Sequence, residues 1–157
     1  MYPYEFLVEN CPPDKKRDVD YVISLMDWEK NIDPNYKKHY FRPPIIIPSD
    51  ETFTEKWITY GNEYISAKEL TVQPGQTVVI KDKAAYGCIM IQGHGKLGVY
   101  DAEAAIMLRF GQASTDEYFV SEEAAVEGVR IINQSRFEPM VILKHFGPNN
   151  QYWPEKQ

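Results

Sequence analysis

The sequence has few of the residues on which several function classes depend. It contains two cysteines, Cys11 and Cys88, and three histidines in 157 residues. Two cysteines do not make a disulfide framework, and Cys88, inside an apolar run, is expected to behave as a small hydrophobic residue. The histidines, at 39, 94 and 145, have no ligand spacing such as HxH or HxxxH. These absences argue against a disulfide-stapled fold and against a histidine-based metal site.

Long apolar runs and a basic surface are also missing. A membrane-spanning helix needs about 18 or more consecutive apolar residues, and no stretch of the sequence is close to that length. The first ten residues, MYPYEFLVEN, lack the basic-then-apolar order of a signal peptide. The net charge is −6, and the lysines and arginines are scattered, which argues against a nucleic-acid interface. We therefore expect a cytoplasmic protein with reduced thiols that binds neither membranes nor nucleic acids.

Short motifs of common enzymes are absent as well. There is no Ser-His-Asp order, no C-x2-C pair and no glycine-rich phosphate loop. The stretch GHGKLG, residues 93–98, is not a phosphate loop because no serine or threonine follows Lys96. Nothing in these motifs assigns a reaction.

Residues 1–48 have the pattern of a helical and extended arm. Asp14 is a candidate cap for a helix with apolar residues at helical spacing, namely Val19, Val22, Ile23 and Met26. A second short helix is predicted from Asp33. Prolines at 43, 44 and 48 exclude a helix in RPPIIIPSD. We expect this stretch to lie across the following domain with its three isoleucines buried.

From residue 49 to 147 the apolar period changes to two. Nine short runs are rich in β-branched and aromatic residues, with turn residues at most breaks: 53–61, 63–72, 76–82, 86–93, 96–101, 104–111, 116–121, 128–135 and 139–147. A turn of helix is predicted within 121–128. Regular short strands of this kind predict a mainly β sandwich or barrel over 49–147. Residues 148–157 have no period and are expected to form a tail.

The stretch ELTVQPGQTVVIKDKAAYGCIMIQGHGKLGVY, residues 69–100, resembles the cupin superfamily. Pro74 and Gly75 match the turn that opens the family's first motif, and QGHGKLGV is similar to its xGxGxxxV hairpin. Asn133 fits the asparagine that ends the second motif. The resemblance covers about residues 62–146 and implies a cupin jelly roll, or double-stranded β-helix, here with an N-terminal helical arm.

A longer pattern is similar to the C-terminal half of bacterial two-cupin proteins grouped with class I mannose-6-phosphate isomerase. It includes DVDYVISLMDWE, HYFRPP and KWITYG. This resemblance implies that any metal centre would belong to a partner domain.

Both motifs depart from the family at the residues that hold its metal. The resemblance aligns Ile80, Asp82, Tyr86 and Val129 with three histidines and a glutamate. Of these four, only Asp82 is a good ligand for a divalent transition metal, and a catalytic site generally needs about three protein ligands. We therefore expect no metal and no cofactor.

Asp82 and Tyr86 are the sharpest candidates for a catalytic or binding pair. If the alignment holds, both point into the barrel, where burial would raise the pKa of Asp82 and the phenol would supply a hydrogen-bond donor. The pair could orient a polyol or transfer a proton. The alternative is that Asp82 is solvated in a turn between Lys81 and Lys83, and the sequence leaves both open.

Two basic residues are candidates for binding an anionic ligand. Lys68 shares its alternation with Leu70, so its head could reach a ligand near the barrel mouth. Arg130, like Arg109, carries the planar donors that phosphate binding uses. For each of them a surface charge is the plainer alternative.

Two histidines are weaker candidates. His145 falls in the same phase as apolar residues of the last strand, and there it would act as an acid or base or as a structural hydrogen-bonding residue. His39 would act on the barrel only if the arm folds over the mouth.

The sequence thus leaves two function classes open, and it disfavours a metal-dependent oxygenase. The first is a cupin-fold domain without the usual metal ligands that binds a small polar, sugar-like molecule or serves as a structural or assembly module. The second is a metal-independent sugar or sugar-phosphate isomerase or epimerase. A homodimer is expected in either case, with the proline-isoleucine stretch as a contact.

Overall fold

The fold is taken from a computed structural model, which describes residues 3–105, 114–148 and 150. The chain forms two compact units, Met1–Arg42 and Pro43–Gln157. Most of the strand predicted at 104–111, Arg109, and most of the tail predicted at 148–157 lie outside the described residues.

The first unit contains four short helices, α1 (Tyr4–Leu7), α2 (Val19–Ser24), α3 (Trp28–Asn31) and α4 (Tyr36–Tyr40). Asp18 caps α2 by accepting a hydrogen bond from the backbone N–H of Tyr21, so the expected cap at Asp14 is wrong. Among the described residues of this unit, Val8 alone is buried. No described helix of the chain has the length and hydropathy needed to span a membrane.

The second unit consists of ten described strands and one helix. The strands are β1 (Ile45–Ile47), β2 (Phe53–Thr59), β3 (Ser66–Val72), β4 (Thr77–Ile80), β5 (Tyr86–Gln92), β6 (His94–Leu97), β7 (Tyr100–Glu103), β8 (Glu117–Val120), β9 (Val129–Asn133) and β10 (Met140–Phe146), and α5 (Glu122–Glu127) precedes β9. They form a six-stranded sheet in the order β1-β2-β3-β10-β5-β8 and a four-stranded sheet in the order β4-β9-β6-β7. All pairs are antiparallel. The predicted mainly β jelly roll is confirmed.

Strand β1 comes from the proline-isoleucine stretch. It pairs with β2, with Ile45 opposite Trp57 and Ile47 opposite Glu55. Because side chains alternate along a strand, Ile46 points the other way and is 70% exposed. The expectation that all three isoleucines are buried is therefore wrong for Ile46.

The core of the second unit is built from alternate residues of the sheets. In β3 every second side chain is buried, and the least exposed core residues include Leu70, Val72, Ile131, Met140 and Ile142. Burying one such side chain stabilises a fold by roughly 1.5–3 kcal/mol. The apolar core therefore provides a rigid frame for the polar groups that it encloses.

Two of the residues that carry the family resemblance, Gly95 and Asn133, make contacts that stabilise the fold. A Cβ atom on Gly95 would lie 1.9 Å from the carbonyl oxygen of Ile132, so only glycine lets β6 approach β9 this closely. Asn133 is buried, and its amide donates to three backbone carbonyls, at 3.0–3.1 Å, of Val72, Gln73 and Glu138. Gly95 thus permits the close approach of β6 to β9, and Asn133 connects three segments of backbone.

Candidate functional site

Four charged side chains meet inside the second unit, where they form what we call the buried charge ring: Glu55, Lys68, Asp82 and Lys144. The Lys68 Nζ atom lies 3.3 Å from Glu55 Oε2 and 2.6 Å from Asp82 Oδ1. The Lys144 Nζ atom lies 2.6 Å from Asp82 Oδ2 and also contacts Glu55 Oε1. The side chains of Asp82 and Lys144 are each 1% exposed. Each lysine thus bridges both carboxylates.

Strand alternation places the two lysines in the interior. Lys68 shares the buried phase of β3 with Leu70, and Lys144 shares the buried phase of β10 with Ile142. The two lysines are directly opposite in the β3–β10 ladder, where like charges repel. Glu55, from the neighbouring strand β2, and Asp82, from the segment after β4, balance them. The ring therefore has no net charge, which is the condition for burying four ionised groups.

Aromatic rings border the buried charge ring. The Lys68 Nζ atom lies 4.8 Å from the ring centroid of Trp57 and 5.6 Å from that of Phe146. The Lys144 Nζ atom lies 5.4 Å from the centroid of Tyr86. Ammonium groups at these distances interact favourably with the faces of aromatic rings. The rings also keep water away, so each ion pair is stronger than it would be at the surface.

Asp82 is held in place through its backbone and its side chain. Its N–H donates to the carbonyl oxygen of Ala125 in α5 at 2.9 Å, and the residue is 4% exposed. Burial alone would raise the pKa of Asp82, but the adjacent Lys144 and Lys68 outweigh it, so that the pKa is lowered. Asp82 is thus buried, as the alignment predicted, but the expected rise in its pKa is wrong.

Tyr86 lies beside the ring without joining its hydrogen bonds. The residue is 2% exposed, and its hydroxyl group has no hydrogen-bond partner among the described residues. Burial, with the negative charge of Asp82 as a smaller cause, raises the pKa of Tyr86 above its usual value. The phenol therefore stays protonated at neutral pH, and Asp82 directs its two oxygens at lysines instead.

A pocket of about 220 Å³ opens beside the buried charge ring. Lys68 and Asp82 line its inner wall, since both are buried, whereas Lys81 and Lys83 line it from exposed positions. The other lining residues are Ile47, Trp57 and Asn150. This pocket connects the buried ion pairs with the solvent side of the second unit.

The other predicted site residues lie elsewhere. His145 is exposed, because the fully buried phase of β10 runs through Lys144 and Phe146, so its expected inward position, in phase with apolar residues of the strand, is wrong. Arg130 is exposed on β9 and does not line the pocket. His39 belongs to the first unit, where its Nδ1 atom lies 2.5 Å from Asp33 Oδ2. Of the predicted site residues, the structure brings together Lys68, Asp82 and Tyr86.

Two members of the ring, Glu55 and Lys144, were missed from the sequence. Glu55 lies on the same side of its strand as Phe53 and Trp57, two residues away in each direction. Lys144 likewise lies on the same side as Ile142 and other apolar residues. A charged residue in the apolar phase of a predicted strand is the signal that could have identified both. Lys144 was obscured because β10 is apolar in both phases.

The residues at the family's metal-binding positions do not fit a metal ion. Ile80 has no donor atom, and both oxygens of Asp82 are engaged by lysines. A divalent cation at Asp82 would lie against two ammonium groups, which repel it. Within the described ranges, no group of three or more His, Cys, Asp and Glu side chains could hold a metal.

Comparisons with known proteins agree with the fold. No family model and no curated protein matches the chain. Among solved structures, the 7S globulin of Momordica charantia is similar over 69% of this chain and 33% of its own, at 14% identity and a TM-score of 0.51. A cupin-2 domain from Rhodospirillum rubrum matches 73% of this chain and 75% of its own, at 12% identity and a TM-score of 0.46.

A further match is a chain from the complex of Rhodobacter sphaeroides SigE with the anti-sigma ChrR, at 12% identity and a TM-score of 0.46, over 64% of this chain. The present chain spans 47% of the length of that chain. At these identities the likeness concerns the fold alone. The likeness to the 7S globulin and the order of the strands agree on a jelly-roll fold for the second unit.

Proposed function

We propose that this cupin-fold chain binds a small polar, sugar-like molecule in the pocket next to the buried charge ring. The observation that supports this proposal most directly is the pocket itself, in which an aromatic side chain, Trp57, lies beside charged and amide groups that exchange hydrogen bonds with polyols. At about 220 Å³ it is smaller than the roughly 300 Å³ at which drug-sized pockets begin. The ligand is therefore a small molecule.

Binding without proton transfer is the better-supported function. An isomerase that uses Asp82 as its base needs a carboxylate oxygen that reaches the substrate, yet both oxygens of Asp82 are bonded to lysines and its pKa is lowered. Tyr86 is a poor proton donor because its pKa is raised. A metal-independent isomerase therefore stays a second prediction, with less support from the geometry.

Fluorescence of Trp57 tests the binding proposal. The chain has three tryptophans, and the double variant Trp28→Phe/Trp153→Phe leaves Trp57 as the only one. Because Trp57 lines the pocket, we expect its emission to change saturably on titration with small polyols and sugars, with or without an acidic group. The variant Trp57→Phe/Trp153→Phe, in which only Trp28 emits, is the control. The proposal fails if neither the uncharged compounds nor the acidic ones give a saturable change in the emission of Trp57.

A homodimer is the second part of the proposal, and a cytoplasmic location stays with it as a prediction from the sequence. Among the described strands, β1 is at one edge of the six-stranded sheet, and its Ile46 is exposed. An edge strand has backbone groups that can pair with a second chain, which supports a contact through β1.

The mass in solution tests the dimer. We expect the native chain to have the mass of two chains by light scattering, and Ile46→Lys to have that of one, because a lysine on an edge strand opposes its pairing with a second chain. Ile91→Lys is the matched control, since Ile91 is an exposed isoleucine on β5, inside the sheet. A native chain with the mass of one chain would refute the dimer.

A further inference from the structure

Lysines outnumber carboxylates among the residues that line the pocket. The ring is neutral, because Lys68 and Lys144 balance Glu55 and Asp82. The pocket takes Lys68 and Asp82 from the ring, and it adds two lysines from outside it, at 81 and 83. Three lysines and one carboxylate therefore line the pocket, in a chain whose net charge is −6.

The segment that carries the two lysines is fixed by the fold. Asp82 lies between them, and its backbone N–H donates to the carbonyl of Ala125 while its side chain is bonded to Lys68 and Lys144. Lys81 and Lys83 are exposed on either side of this buried residue, and both line the pocket. The two neighbouring lysines are therefore exposed to solvent, whereas Asp82 between them is buried and held by its hydrogen bonds.

Polar groups for an uncharged part of a ligand lie further along the pocket. Lys68 directs its described hydrogen bonds at two carboxylates, and the residue also lines the pocket, where an ammonium group donates to ligand oxygens. Asn150 is 3% exposed, and its amide nitrogen donates to Ser66 Oγ at 2.9 Å. This bond orients the Asn150 carboxamide, whose oxygen accepts from a hydroxyl group.

We propose that the pocket selects a small hydroxy acid, with its anionic group against Lys81 and Lys83 and its hydroxyl groups towards Lys68 and Asn150. This inference rests on the proposed binding function and adds the charge of the ligand. A pocket of about 220 Å³ has room for a small molecule of this kind. Carboxylate and phosphate share the required chemistry, negatively charged oxygens that accept from ammonium groups.

The test compares three compounds with one carbon skeleton: glycerol, glycerate and glycerol 3-phosphate. By calorimetric titration of the full chain, we expect at least one of the two acids to bind about tenfold more tightly than glycerol. The stronger of the two acids identifies carboxylate or phosphate as the preferred group. The dependence on salt supplies a second measurement. Raising the salt concentration from about 50 to about 300 mM should weaken binding of the acid, because salt screens its charge, and should leave binding of glycerol unchanged.

Lysine variants assign the preference to these two residues. Lys81→Gln/Lys83→Gln should bind the preferred acid no more tightly than glycerol. The control Lys56→Gln/Lys96→Gln removes the same charge from the second unit outside the pocket, where Lys56 pairs with Glu69 and Lys96 with Asp101. It should keep the preference, and both variants should keep the native circular dichroism spectrum.

The outcomes separate this inference from the proposed function. Equal binding of glycerol and both acids would overturn the inference and leave the binding function intact. A preference for acids that survives in Lys81→Gln/Lys83→Gln would overturn the assignment to these lysines. If none of the three compounds binds and the fluorescence of Trp57 also responds to no polyol, sugar or acid, the binding function fails, and the inference fails with it.

Discussion

Lys144→Met is expected to lower the free energy of unfolding by about 3 kcal/mol or more. The change keeps a long side chain in β10 but removes one of two buried ammonium groups. Glu55 and Asp82 would then share Lys68, leaving an uncompensated negative charge among groups that are at most 11% exposed. Urea unfolding followed by circular dichroism measures the loss, and an unchanged dependence on urea concentration shows that the two end states are comparable.

Two further variants separate the effect of charge from that of any lysine replacement. Lys96→Met removes a lysine whose partner, Asp101, is 79% exposed, and it should cost no more than about 1 kcal/mol. Lys144→Met/Glu55→Gln restores neutrality around the remaining Lys68–Asp82 pair, so it should be more stable than Lys144→Met alone. A loss below about 1 kcal/mol for Lys144→Met would show that the ring is not maintained by charge balance.

The sequence predicted most of the jelly roll because short strands with period two leave a clear pattern. In β3 the alternation favoured an inward Lys68, in phase with Leu70, against the plainer alternative of a surface charge, and every second side chain of the strand, Lys68 included, is buried. In β10 the same method failed. Val141 is buried together with Met140 and Ile142, and the pairing with β5 shifts between Val141 and Ile142. A strand with both phases apolar does not reveal which of His145 and Lys144 points inward.

The charge ring was beyond local sequence reasoning for a different reason. Its members come from four separate segments of the chain, and Lys144 is 62 residues from Asp82. Motif alignment located Asp82 and Tyr86 but supplied no partners, so the interpretation in which Asp82 is buried carried a raised pKa, and the solvated alternative stayed open. The nearby lysines reverse the direction of that shift. Only the pairing of β3 with β10 shows that both lysines reach the same carboxylate.

Asp82→Asn should cost about 3 kcal/mol or more at pH 7 and should make stability less dependent on pH in the acid range. The asparagine keeps the shape but leaves two buried ammonium groups with Glu55 as their single carboxylate. Because folding lowers the pKa of Asp82 from 3.8, its ionised form stabilises the folded state at a pH above that ordinary value. This contribution is lost as the pH falls through the lowered pKa.

The difference in stability between the native chain and Asp82→Asn should therefore be constant above about pH 5 and should shrink as the pH is lowered through 4. Urea unfolding from about pH 7 to about pH 2.5 measures it. Asp101→Asn is the matched control, because that carboxylate is 79% exposed and pairs with Lys96 at the surface. Its difference from the native chain should stay small throughout.

If the Asp82→Asn difference grew in acid, Asp82 would be protonated more readily in the folded state, and the lysines would not be its dominant partners. A shrinking difference would mean that an ionised Asp82 holds the inner wall of the pocket in place at neutral pH, as the proposed binding site requires.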